Sequence, residues 1–414
     1  MFAVTTTLTL VLALFASACG SDDVGHVPDA PLPFDTAPDT PGQVGPAVGG
    51  EAAGDQAGWT VALSADGKRV IIGSLHSSAT GADSGQARVF DRNDNTWVQV
   101  GADLDGEAAG DRYGGAVAIS NDGSRVAVGS YLNDGNGNTS GHVRVFELVG
   151  GAWTQLGADL DGAGAGAGHG WTLALSGSGS RIVVGAPVAN NTNGSAYVYD
   201  LVGGAWTPVG TPVANDHEFG HDVDISDDGN RIAVGSPSPQ SSDQWPGRVE
   251  VYEWSGTAWV PLGAAIAGVE ASAGAGTSIA LSAAGDVLAI GSSTSNSAGA
   301  NSGEVRVLRW NAGTWIPVGA AFGGPIGSTL GLSVALSADG TRLLAGGPVG
   351  VGTARLYTLA ADTWTQTMGP DFGSGAHTGA AVALSADGRV AAIGAPYADS
   401  PANQSGEVRV YDLP

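Results

Sequence analysis

The chain has 414 residues and a net charge of −24, and this balance excludes affinity for phosphate backbones or anionic lipid, which depends on Lys and Arg. With 68 glycines, 20 prolines and only 14% charged residues it is rich in turns and poor in helix, while 43% hydrophobic residues leave ample apolar surface for a β core. The single cysteine, Cys19, excludes an internal disulfide.

Residues 4 to 18, VTTTLTLVLALFASA, form an apolar run too short to span a bilayer comfortably, and they end in small residues as a secretory signal does. The stretch ASACGS (Ala16 to Ser21) resembles the lipobox of bacterial lipoproteins. That resemblance implies removal of residues 1–18 and lipidation of Cys19, although Ala16 stands where leucine is usual and no Lys or Arg precedes the run. Ordinary secretion with an incidental cysteine is the alternative. Residues 19–42 are rich in Pro and Asp without an apolar pattern, and are expected to form an extended tether.

From residue 43 to the end one motif recurs: ALSADG, AISNDG, ALSGSG, DISDDG, ALSAAG, ALSADG and ALSADG, ending at Gly67, Gly123, Gly179, Gly229, Gly285, Gly340 and Gly388. Each unit carries four strand-like runs, shown in the second by GAVAIS, RVAVGS, HVRVFEL and AWTQLG, which we name strands A to D. A and B are joined by a tight turn whose Asp and Gly suit a hairpin. Four-stranded units at this period predict the blades of an all-β propeller stacked around a central channel.

The count predicts closure of the ring. Seven A strands are present, but tryptophan marks only six D strands, at Trp97, Trp153, Trp206, Trp259, Trp315 and Trp364. The chain ends on a C strand, VRVYDLP, and the missing D strand is found at the other end: QVGPAVGGEAAGD (43–55) matches QVGADLDGEAAGD (99–111) at nine of thirteen positions, with Pro41 in the tryptophan's place. The expectation is a seven-bladed propeller over 43–414 of four-stranded antiparallel blades, closed by an N-terminal strand that completes the last blade.

Phe219-Gly220 with Gly185-Ala186-Pro187, and close variants such as Tyr113-Gly114, Gly235-Ser236-Pro237 and Gly394-Ala395-Pro396, make the repeat resemble the FG-GAP repeat of the integrin alpha-subunit propeller and its bacterial relatives. WD-repeat proteins share the hairpin, but the WD dipeptide and its His are absent from these repeats. The resemblance implies calcium sites in A-to-B loops of the form DxDxDGxxD. Here LSADGKRVIIG keeps only Asp66, in a loop one residue shorter, and Asp224, Ser226 and Asp228 come nearest to the pattern.

Alternation of strand direction places B-to-C and D-to-A loops on one face. The B-to-C loops are long, variable and rich in Asn, Ser and Asp, so that face is the expected ligand side. Tyr131, Asn133, Trp245 and Tyr397 in these loops are the candidate contacts, Trp245 because it lies outside any repeat position. Asp134, Asn136 and Asn138 reproduce the first three oxygen positions of a calcium loop, but Thr139 replaces its glycine and no Glu closes it. HEFGH (217–221) matches the zinc-peptidase pattern, yet that motif binds zinc only on a helix; in extended chain its histidines stand about 13 Å apart. The D-strand tryptophans are expected to pack blade against blade, and the arginines of strands B and C to pair with nearby carboxylates.

The resulting expectation is an exported, lipid-anchored propeller of the outer membrane or cell surface, or else a secreted one. It would be monomeric and not an enzyme, binding a protein or glycan ligand and no nucleic acid, and touching membrane only through Cys19. A lyase or hydrolase at the channel mouth and a purely structural envelope protein are the alternatives.

Overall fold

The computed structural model describes residues 42–189, 193–215, 218–237, 246–350, 352–367, 372 and 377–414. Cys19, Pro41, His217 and Trp245 lie outside the described residues. The described chain folds into seven antiparallel sheets arranged as a ring of blades. In the first blade, strand A is Ala57–Leu63, B is Arg69–Ser74, C is Gln86–Asn93 and D is Thr96–Gln99.

The B strands explain their own sequence. Each is buried on both faces between neighbouring blades, so RVIIGS, RVAVGS and RIVVGA read as continuous apolar runs rather than as alternating ones. Strand D departs from the single run expected. In blades 1 to 5 it splits into two segments that both pair with C, in blade 1 Thr96–Gln99 and Leu104–Asp105. Gly101, held at φ +73°, takes a left-handed turn that interrupts the strand.

Closure is as predicted. Val48–Gly49 pairs antiparallel with Glu407–Asp412, Val48 opposite Val408 and Gly49 opposite Glu407, while Gln43 bridges Tyr411. The apolar core is divided into seven clusters, each sandwiched between successive blades, and one of them joins Val390, Val408 and Val410 of the last blade to Val70, Ile72 and Phe90 of the first.

Two further rings run through all seven blades. At the A-to-B turns the backbone N–H of each turn donates to the carbonyl of the next: Ala65 to Asn121, Asn121 to Gly177, Gly177 to Asp227, Asp227 to Ala283, Ala283 to Ala338, Ala338 to Ala386, and Ala386 back to Ala65, all at 2.8–3.0 Å. The second ring accounts for the glycines of the FG-GAP pattern. A Cβ on Gly73 would overlap the carbonyl oxygen of Gly114 in the next blade, and the same contact joins Gly235 to Gly276 and Gly394 to Gly58. Backbones approach there more closely than any side chain permits.

The tryptophans of strand D hold blade to blade, as expected. Each indole N–H donates to a carbonyl at the end of the preceding D strand: Trp97 to Val44, Trp153 to Val100, Trp206 to Leu156, Trp259 to Val209, Trp315 to Leu262 and Trp364 to Val318. Arginines at the start of B strands pair across the B–C register, Arg69 with Asp91, Arg125 with Glu147, Arg181 with Asp200 and Arg231 with Glu253. The remaining guanidinium nitrogen, Nη1, reaches a turn carbonyl of the next blade, Gly123 for Arg69 and Gly229 for Arg181.

Candidate functional site

The inner A strands enclose a central cavity of about 650 Å³. Its narrow end is set by the hydrogen-bonded ring of turns: seven backbones spaced like neighbouring strands, roughly 4.8 Å apart, make a ring only roughly 11 Å across before van der Waals thickness is subtracted. Leu63, Leu175, Leu281, Leu336 and Leu384 line the cavity toward that end. The wide end opens among the B-to-C and D-to-A loops.

That mouth is aromatic on one side. The residue after each FG-type glycine stands at its rim: Trp59, Gly115, Trp171, His221, Thr277, Leu332 and Ala380. Trp171 meets the edge of Tyr131 with ring centres 4.7 Å apart and His221 at 6.0 Å. Arg112 donates to the Tyr131 hydroxyl at 3.1 Å, and His377 packs on Tyr397 at 4.7 Å. Tyr131 and Tyr397, singled out from sequence, therefore line one cavity. Tyr131 is largely buried within this cluster and Tyr397 half-buried. Asn133 is instead buried beneath its loop, where its amide donates to Asp111 and its oxygen accepts the Gly135 N–H.

Blade 4 contributes two carboxyls to the cavity wall. Asp222 accepts the N–H groups of Ile279 and Val223 and the Thr172 hydroxyl, and Asp224 accepts those of Leu281 and Ile225. The inner edge of strand A in blade 5 offers backbone donors with no strand to pair with, and these two carboxyls satisfy them. Enclosure in the cavity wall pushes Asp222 up to about 6 and Asp224 up to about 7, the amide hydrogen bonds offsetting part of that cost. Burial likewise depresses His221 to about 4, so it is neutral at pH 7, with its Nδ1 lacking a partner.

Asp224 thus belongs to strand A (Val223–Ile225) and not to a cation loop with Ser226 and Asp228. The hairpin carboxylates are committed to the turn itself. Asp66 accepts the Ser64 hydroxyl and the Lys68 N–H, and Asp122, Asp228, Asp339 and Asp387 repeat the arrangement. These turns do not fit calcium, which needs six to eight converging oxygens. In the longer B-to-C loop, Asp134 accepts the Thr139 N–H and the Asn136 amide donates to Gly162, while Asn138 sits in the same turn. Asn296 and Asp399 accept from the backbone at the equivalent places in blades 5 and 7, so the Asp134 bond is part of the loop's own geometry.

Within HEFGH the described residues, 218–221, are not helical. Glu218 takes φ +56° and Phe219 is wholly buried, bridging Gly194 of the preceding blade. Trp59 and Trp171 at the rim were missed from sequence, as was the inward placement of Asp222 and Asp224. The available signal was departure from the repeat: six blades carry alanine where blade 4 has Asp224.

These features define a seven-bladed β-propeller built from FG-GAP-type repeats. The family described as "FG-GAP repeat" matches residues 98–146, from strand D of blade 1 to strand C of blade 2, the same phase in which the N-terminal strand completes the ring. No curated protein matches the chain. Among solved structures, Kuenenia stuttgartiensis Hydrazine Synthase is similar at a TM-score of 0.59 and 12% identity, covering 88% of this chain and 97% of that one, a likeness of fold alone.

Proposed function

We propose that the protein is an exported binding module, anchored through a lipid on Cys19, that takes a protein or glycan ligand at the wide mouth of its channel. The observation that carries this reading is the aromatic rim of Trp59, Trp171, Tyr131 and Tyr397 over a cavity of about 650 Å³. Aromatic faces offer flat apolar area with little entropy to lose, which suits sugar rings and extended peptide alike. The narrow opposite end favours insertion of a ligand tip rather than passage of a chain. A binding role also agrees with the channel carboxyls, whose oxygens serve backbone amides instead of standing free for proton transfer.

The test is a glycan and peptide array probed with the purified propeller, followed by calorimetry on hits. Trp171→Ala with Trp59→Ala should weaken binding at least about tenfold, as loss of a central aromatic anchor does. Undiminished binding by the double variant would move the site away from the mouth. Radiolabelled palmitate incorporation, lost in Cys19→Ala, tests the anchor.

A further inference from the structure

We infer that Glu107, His142 and Asp159 form a binding site for one divalent transition-metal ion, on the outer part of the ligand face between blades 1 and 2. His142 opens strand C (His142–Val149) of blade 2, Asp159 precedes the second D segment (Leu160–Asp161) of that blade, and Glu107 lies in the D-to-A loop arriving from blade 1. Their ligand atoms all stand within 4.8 Å of one another, with Nδ1 of His142 at 3.8 Å from Asp159 and 4.0 Å from Glu107. Those separations are too long for hydrogen bonds and somewhat longer than the spacing of donors around a bound ion, about 3.4 Å for bonds of about 2.1 Å in tetrahedral array. Side-chain rotation of the two carboxylates closes the difference, since Glu107 is 49% and Asp159 31% exposed.

The imidazole meets Tyr113 edge to face, with ring centres 6.1 Å apart, and neither ring nitrogen has a hydrogen-bond partner among the described residues. His142 is 1% exposed, its Nε2 has no partner, and its Nδ1 faces only the two distant carboxylates. In blade 1 the same position holds Gln86, whose amide nitrogen donates to Asp105 at 3.0 Å while its Oε1, like Nε2 of His142, has no partner. Asp159 is already oriented, for Gln155 donates to its other oxygen and leaves Oδ2 toward the histidine. Arg144 meets the other Glu107 oxygen at 3.5 Å, but it is held chiefly by the Asp105 carbonyl and the face of Tyr113. One imidazole and two carboxylates suit zinc, with water completing the shell, and do not suit calcium, which takes oxygen ligands only.

The experiment is calorimetric titration of zinc chloride into the whole chain, purified without an affinity tag and freed of metal with EDTA. One ion per chain should bind, calcium should not displace it, and cobalt(II) should give a visible absorption band in its place. His142→Gln, which installs the residue that blade 1 uses, and Asp159→Asn should each weaken zinc at least about 100-fold while leaving the metal-free melting temperature within a few degrees. Absence of stoichiometric binding would overturn the assignment. So would zinc binding that His142→Gln leaves unchanged, because the ion would then sit elsewhere, for example at His76 and Asp83.

Discussion

Replacing Asp224 with alanine, the residue at this position in six other blades, should change how stability depends on pH. Burial holds the folded carboxyl near 7 against 3.8 in the unfolded chain, so between those values the folded state binds the extra proton. The stabilisation is complete below pH 3.8 and is lost as pH rises through 7. At about 1.36 kcal/mol per pH unit the full interval amounts to about 4 kcal/mol, and to about 3 kcal/mol between pH 8 and pH 4.5; water in the cavity lowers both figures. The wild-type profile alone will not display this. Burial pushes His169 down to about 3 and His221 down to about 4, so these groups lose stability as pH falls below 6.5 and oppose the carboxyl. The informative quantity is the difference between Asp224→Ala and wild type in urea unfolding at a series of pH values. Loss of an acceptor for the Leu281 and Ile225 amides shifts that difference by a constant. Relative to wild type, the variant should gain roughly 2–3 kcal/mol as pH rises from 4.5 to 8. Parallel profiles would refute the reasoning, because they would mean that the carboxyl titrates in its usual range.

Trp206→Phe keeps the ring but orphans the Leu156 carbonyl and should cost about 1 kcal/mol in denaturant unfolding, whereas Trp206→Ala also removes blade-to-blade packing and should cost about 3 kcal/mol. Gly235→Ala drives a Cβ into the backbone carbonyl of Gly276, which cannot yield as a side chain would; a loss of about 2 kcal/mol or more is expected, and a neutral effect would mean that the blades slide apart freely. A chain beginning at residue 51 loses the strand that pairs with Val408 and Glu407, and the exposed edge of Glu407–Asp412 should lower the melting temperature and promote self-association on size-exclusion chromatography. A variant of unchanged stability and monomeric elution would show that the ring does not depend on this closure.

Blade number, strand order and the closing strand were legible in the linear order of residues because each rests on local chemistry repeated seven times. A Gly-ended turn, with Asp before the glycine in five blades, makes the A–B hairpin, the doubly buried B strand reads as an unbroken apolar run, and the phase of Trp97 against Pro41 exposes the permuted blade. The loop faces followed from strand alternation, and the tryptophan roles and the pairing of Arg69, Arg125, Arg181 and Arg231 from their fixed place in the repeat, whereas Arg342 and Arg355 of blade 6 have no carboxylate partner among the described residues. Residues that depart from the repeat were harder to interpret. Trp171 stands one residue before strand A of blade 3, but its meeting with Tyr131, 40 positions earlier, depends on how neighbouring blades splay around the axis.

The sequence by itself determined the propeller, since periodicity, turn chemistry and burial pattern are properties of short segments and their count. Tertiary structure alone decided which singular residues meet: Asp222 and Asp224 against the free edge of blade 5, His142 between Glu107 and Asp159, and the aromatic rim of the cavity. The physical reason is that a ring brings the same position of different blades together across many tens of residues. A side chain's partner is then fixed by its height in the blade, while its chemistry is fixed by how it differs from its repeats.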